Sequence, residues 1–148
     1  MILSQTAQYG LRAVLYLSEH DAEGPLRVED IAGALKVPRN YLSKILHVLA
    51  RAGMLTSTRG PHGGFVLARR ADRLTLDEIV RHFDDFPTER RCVLGHEVCS
   101  DTTPCAAHER WKEVATSVRA FFRETTVADL AEAGEELGIS APNKVSGA

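Results

Sequence analysis

The sequence predicts a mainly α fold: several short helices, one β-hairpin and a long C-terminal helix. Three observations predict it. Apolar residues recur every three or four positions along separate stretches, most strongly over Trp111–Phe122. Two β-prone runs, Leu55–Thr58 and Phe65–Ala68, bracket a glycine-rich turn. The 148 residues are 44% hydrophobic and 26% charged, the balance of a soluble globular chain.

Each element has a local cause. From Leu3 to Leu17, the residues Leu3, Ala7, Leu11, Val14 and Leu15 share one helical face. Asp21–Pro25 ends that helix in a turn. Ile31, Ala32 and Leu35 mark a second helix from about Val28. It stops near Lys36, because Val37 precedes a proline and is biased out of the helical region. Pro38 suits the first turn of a third helix, with Leu42, Ile45, Leu46 and Leu49 as its buried stripe. Gly53 caps that helix at its C-terminal end. In the hairpin that follows, Arg59–Gly64 reads RGPHGG, a loop that bends sharply and can approach a partner closely. Thr75 with Glu78 is a capping box for a fourth helix to about Phe83. Residues 84–104 carry no periodicity. A long helix spans about Ala106–Glu124, and Thr126 with Asp129 caps a last short one through Leu137. The tail from Gly138 has the composition of a disordered end.

Two short helices across a tight turn, followed by a glycine-rich hairpin, make a winged helix-turn-helix. In that module the second helix of the pair enters the major groove of double-stranded DNA. Arg39, Asn40, Tyr41, Ser43 and Lys44 then lie near DNA, and Arg12 is a further expected DNA-binding residue. Arg and Asn read base edges, whereas Lys and Ser more often hold phosphates. Arg59, with Gly60 and Pro61 at the wing tip, is placed to enter a minor groove. The charge distribution agrees. Residues 1–71 carry a net +4 and residues 72–148 a net −6, and no acid lies between Ile31 and Ala71. A one-signed window in a mixed chain points to a polyanionic partner.

The longest apolar run, Ala13–Leu17, is far short of the ~20 residues of a membrane span. No basic segment precedes an apolar one at the start, so a cytoplasmic chain is expected. No catalytic triad, metalloprotease motif or nucleotide fingerprint is present, and RGPHGG lacks the Gly-Lys-Ser/Thr of a phosphate loop, so no enzyme is expected.

Cys92, Cys99 and Cys105 are separated by six and five residues, with His108 three beyond the last. An odd, clustered set argues against a disulfide framework and for metal or redox chemistry. Three thiolates and an imidazole suit zinc or an iron–sulfur cluster, and the wide gaps favour the cluster. His96 is the competing nitrogen ligand, and Arg90 and Arg91 would favour the Cys92 thiolate. If Cys105 and His108 both lie on the long helix, their spacing puts them on one face. The helix stripe of Trp111, Val114, Ala115, Val118, Phe121 and Phe122 is hard to cover with the small remaining core, and a symmetric homodimer covers it.

Three blocks carry a resemblance over nearly the whole chain: LSQTAQYGLRAVLYL, VPRNYLSKILHVLARAGMLTSTRGPHGGFVLAR and the loop ending CAAHERW. They resemble the winged-helix iron–sulfur transcriptional regulators that include the cluster-biogenesis repressor IscR and the nitric-oxide sensor NsrR. The resemblance implies a dimer with crossed long helices and promoter binding that depends on the cluster's state. By resemblance to the biogenesis repressor, His108 matches the histidine ligand of a 2Fe–2S cluster. The nitric-oxide branch instead draws an acid from the partner's first helix for a 4Fe–4S cluster. Here Ser4–Tyr9 contains no acid and offers Gln8, which favours the histidine type. The Cys92–Cys99 gap is one residue longer than in the biogenesis repressor, and Ser43 and Lys44 replace its acidic and amide residues on the recognition helix. The expected organisation is therefore a DNA-binding domain (1–84), a cluster loop (85–105), dimerisation helices (106–137) and a tail (138–148). The competing expectation is a DNA-binding regulator controlled by a protein partner, with the loop holding zinc or no metal.

Overall fold

The computed structural model describes residues 2–85 and 91–137. The expected tail from Gly138, Arg90 and the loop residues 86–89 lie outside the described residues. In order, the elements are α1 (Gln5–Glu19), α2 (Val28–Leu35), α3 (Arg39–Arg51), β1 (Leu55–Thr58), β2 (Gly64–Leu67), α4 (Leu76–Val80), α5 (His108–Glu124) and α6 (Val127–Glu136). No helix among the described residues is long and apolar enough to cross a membrane.

The first helix organises the rest. Ser4 caps it by accepting from the Ala7 N–H at 3.1 Å, and Asp84 accepts from the Ser4 N–H at 2.8 Å. Its buried face, Ala7, Gly10, Ala13, Val14 and Leu17, follows the helical period and meets α2, α3, α4 and α6. At Gly10 a Cβ would stand 2.8 Å from the Phe83 ring, so the missing side chain is what lets that ring lie on the helix. Glu29 and Asp30 complement the dipole at the start of α2. Lys36 ends α2 in the left-handed region at φ 56°, and the Arg12 guanidinium donates to the Leu35 carbonyl at 2.9 Å. That contact satisfies a carbonyl the helix end would otherwise leave open.

Helix α3 buries Leu42, Ile45, Leu46 and Leu49 as its spacing predicts. Pro38 is its N-cap residue rather than part of its first turn, and Gly53 closes it at φ 81°. The wing pairs Leu55 with Leu67 through to Thr58 with Gly64, so the second strand begins one residue earlier than expected. Leu26 extends this sheet, exchanging hydrogen bonds of 3.1 and 2.8 Å with Phe65. Gly64 at φ 152° permits both pairings, and a Cβ there would sit 2.3 Å from the Leu26 carbonyl oxygen.

The capping box of Thr75 and Glu78 forms, but α4 ends at Val80 and the next residues tighten into turns back to the Val80 carbonyl. Helix α5 starts at His108, not Ala106, so Cys105 sits in the preceding turn, its carbonyl accepting from the His108 N–H at 3.1 Å. Thr126 and Asp129 form the second capping box and open α6. The main core joins α1, α2, α3 and the wing and includes Val127 of α6; a smaller one gathers Ala7, Leu76, Val80 and Phe122.

Two glycines should respond to substitution with opposite signs. Gly64→Ala should lower unfolding free energy by about 1–3 kcal/mol, because backbone must move to admit the methyl. Gly33→Ala, in open space on α2, should raise it by about 0.4–1 kcal/mol. Denaturant unfolding checks both, and equal effects would contradict the wing geometry.

Candidate functional site

The exposed side of α3 presents Arg39, Asn40, Tyr41 and Lys44, with Ser43 half-buried. Arg39 pairs with Glu29 at 2.8 Å across the helix-turn-helix, a solvent-facing ion pair that is cheap to open. Lys44 makes no ion pair among the described residues. Tyr41 is tied down: its hydroxyl meets the Thr6 hydroxyl, and its ring packs edge-on against Tyr9 at 5.7 Å. It sets the seat of α3 on α1 while remaining partly exposed. Arg12, on the Leu35 carbonyl and 5.8 Å from the Tyr9 ring centroid, likewise serves as a brace between α1 and α2.

Arg59, Gly60 and Pro61 are exposed at the wing tip. Beneath them Arg27 donates to the Pro61 carbonyl and holds the tip against the entry to α2. His47 falls within the basic window but is not among the residues expected to contact DNA. It is exposed on α3 one turn beyond Ser43, with Nδ1 2.7 Å from the Ser43 carbonyl and its ring edge-on to Phe65 at 5.4 Å. Its spacing from Asn40 and Lys44, seven and three residues, was the available signal.

The loop before α5 brings the three cysteines together. Their sulfur atoms all lie within 4.8 Å of one another, with Cys92 and Cys105 3.6 Å apart, and all three are free thiols. His108, only 8% exposed, places Nδ1 3.2 Å from the Cys99 sulfur. Its Nε2 lies 2.9 Å from Asp101, whose same oxygen accepts from Lys112 at 2.8 Å. His96 is exposed and outside this group. The Trp111 indole N–H donates to the Arg91 carbonyl at 3.1 Å, closing the wall of the site with Ala115 behind it.

Electrostatics differ among the thiols. Burial pushes the Cys92 thiol up, but backbone N–H groups of His96 and Leu94, with the neighbouring thiols, bring it down to about 7. Among the described residues it is backbone donors and thiols that lower Cys92, and Arg90, expected to favour its thiolate together with Arg91, lies outside them. The Cys105 backbone N–H acts to lower Cys99, but burial and the two neighbouring thiols outweigh it and leave that thiol raised. Three soft donors and an imidazole converge here, an arrangement suited to a transition metal or iron–sulfur centre.

The long-helix stripe divides. Phe122 is buried against α1 and α4 and Ala115 is buried behind the cysteine site, whereas Val114 and Phe121 are 51% and 52% exposed. Val118 lies between them, and Ile2, Leu3, Gln8, Val118 and Phe121 line one open apolar groove. Gln8 thus sits on this groove, with its amide 3.4 Å from the Leu3 carbonyl.

A family model described as Rrf2, iron-dependent transcriptional regulator, matches residues 3–133. The chain belongs to the Rrf2 family. An HTH-type transcriptional regulator of Aquifex aeolicus is 37% identical over 88% of this chain and 91% of its own length. Among solved structures, CymR, the global cysteine regulator of B. subtilis, superposes with a TM-score of 0.76 at 31% identity, covering 90% of this chain and 98% of that one. IscR of T. potens superposes with a TM-score of 0.75 at 26% identity, covering 95% and 93%. This Rrf2 chain is therefore a DNA-binding transcriptional regulator on a winged-helix fold, and not an enzyme. Within that fold the RGPHGG loop is the tip of the wing hairpin and α3 the second helix of the helix-turn-helix pair, and the cysteine set fits a metal or cluster site.

The lowered Cys92 thiol has a chemical consequence. A group at about 7 is half thiolate at neutral pH, against ~1% for an ordinary thiol near 9, and lower basicity returns about tenfold of that advantage. In the reduced, metal-free protein, iodoacetamide at pH 7 should label Cys92 about fivefold faster than an unperturbed thiol, and faster than Cys99. The rate should climb from pH 6 to 8, as a lowered thiol requires, and level off above. Peptide mass mapping that finds Cys99 modified first would contradict this ordering.

Proposed function

We propose that the protein is a cytoplasmic, homodimeric transcriptional repressor whose operator binding is set by an iron–sulfur cluster, favoured as 2Fe–2S, on Cys92, Cys99, Cys105 and His108. The observation that carries this reading is the meeting of three unpaired sulfurs within 4.8 Å beside a buried imidazole. The converging donor set supports control by a cluster over control by a partner protein.

When bound, the cluster supplies a one-electron centre that oxidants, nitric oxide or iron scarcity can alter. The chain's own residues supply the coupling. Cys92 and Cys99 belong to the loop, whereas His108 begins α5, so filling the site joins loop to helix. Arg91 is already tied to Trp111. At the other end, α5 returns to the DNA-binding domain through hydrogen bonds of the Thr125 carbonyl and the Val127 N–H. Loop order then biases α5, and through a dimer pairing of Val114, Val118 and Phe121 it biases the spacing of two recognition helices. On DNA, Arg39, Asn40, Ser43 and Lys44 face the major groove and Arg59 with Gly60 and Pro61 the minor one. Arg12 and Tyr41 hold the frame that presents them.

Protein purified without oxygen should be coloured, and each of Cys92→Ala, Cys99→Ala and Cys105→Ala should abolish the visible absorption. Loaded and cluster-free protein should differ about 5–150-fold in operator affinity. A colourless protein holding zinc, or equal affinities at every promoter, would overturn this reading in favour of control by a partner protein.

The dimer face has its own test. Val118→Glu combined with Phe121→Glu places two charges on the exposed groove and should give a monomer with lost operator binding. Light scattering that shows an unchanged dimer would remove this face from the proposal.

A further inference from the structure

Around His108 lies a polar arrangement that the cysteine pattern does not require. Asp101, two residues after Cys99, accepts on one carboxylate oxygen from both His108 Nε2 at 2.9 Å and Lys112 Nζ at 2.8 Å. Lys112 follows His108 by four residues on α5, so the two side chains lie on one helical face. The Asp101 backbone is held in a tight turn: Ser100 and Thr103 exchange backbone hydrogen bonds of 3.3 and 3.2 Å. The Ser100 hydroxyl also accepts from the N–H groups of Thr102 and Thr103 at 3.3 and 3.2 Å. Asp101, His108 and Glu109 have the donor types of a cation site, but the Lys112 ammonium already holds the Asp101 oxygen. The group is built as a brace.

A carboxylate only accepts, so the ring nitrogen facing it carries the proton. In the neutral imidazole that leaves the lone pair on the other nitrogen. Here the other nitrogen is Nδ1, which faces the Cys99 sulfur at 3.2 Å. We propose that Asp101, steadied by Lys112, is a positioning residue that locks His108 as the Nε2–H tautomer and so makes Nδ1 the nitrogen offered to the cluster. This rests on the cluster reading above, with His108 as its fourth ligand. Partners of this kind orient a ligating histidine and raise its basicity, and their loss typically costs 10–100-fold in metal affinity.

The tautomer can be read without any cluster. In reduced apoprotein with 15N-labelled histidine, long-range proton–nitrogen correlation above neutral pH should show His108 with its proton on Nε2. Asp101→Ala should mix the tautomers, and Asp101→Asn, which keeps an acceptor oxygen, should restore the wild-type pattern. In the loaded protein, Asp101→Ala should lose its visible absorption to a chelator about 10–100-fold faster than wild type. Asp101→Asn should stay much closer to wild type, and Asp101 lies in an exposed turn whose replacement leaves the core intact. A proton found on Nδ1, or an Asp101→Ala protein with wild-type lifetime while His108→Ala is short-lived, overturns the positioning role alone. If His108→Ala itself keeps the wild-type lifetime, His108 is no ligand, and the inference falls together with that part of the cluster reading.

Discussion

Two backbone hydrogen bonds join the two halves of this chain. The Leu76 N–H donates to the Thr125 carbonyl at 3.0 Å, and the Val127 N–H to the Leu74 carbonyl at 2.9 Å, an antiparallel bridge of Thr75 with Thr126. Both threonines are also the caps of helices, α4 and α6, so each residue ends one structure and begins another. Without this bridge, α5 would meet the DNA-binding domain only through side chains. With it, the C-terminal end of a helix about 25 Å long is fixed by main-chain geometry. Its N-terminal end is the cysteine site. Whatever orders that site therefore acts on a lever whose far end is anchored in the main core through Val127.

The surface around α3 and the wing shows a second economy. Several of the cations that make the first half basic are committed to holding it together. Arg12 closes α2, Arg27 holds the wing tip, and Arg69 and Arg70 pair with Glu78 and Asp72. What remains facing outward is narrower than the raw charge count: Lys36, Lys44, Arg51 and Arg59, with Arg39 held loosely by Glu29. A reading helix and a wing that are braced from behind lose less conformational freedom on meeting DNA.

The sequence made the helices, both capping boxes and the wing legible, because each has a short-range cause: apolar period, a cap residue, or glycine at a strained turn. It was less informative wherever the cause lies far along the chain. Leu26 looks like a linker residue, and nothing near it reveals its pairing with Phe65. Tyr41 and Arg12 read as DNA contacts, while their contacts to Thr6 and the Leu35 carbonyl are set by packing that the sequence does not show. In the cysteine site the ligand types were visible from spacing, while Asp101 was not. Its role depends on a turn that folds it back onto α5, although Lys112, four residues after His108, was a local clue.

The apolar stripe on α5 shows how a correct pattern can merge two jobs. Trp111, Ala115, Val118 and Phe122 follow one line down the helix; Val114, Val118 and Phe121 follow another, offset by about 60°. Periodicity alone counts both as one face. The structure separates them: Val118 and Phe122 of the first line pack with Leu76, Val80 and Ala7, and Trp111 and Ala115 wall the cysteine site. Val114 and Phe121 of the second stand exposed, Phe121 in the groove beside Ile2 and Leu3. Single exposed apolar residues are ordinary, but a continuous groove that joins the start of α1 to the middle of α5 is not. Val118 belongs to both lines, so the open groove and the smaller core share that side chain. The inner face bears on α1, and α1 carries Thr6 and Tyr9, the seat of Tyr41 and the recognition helix.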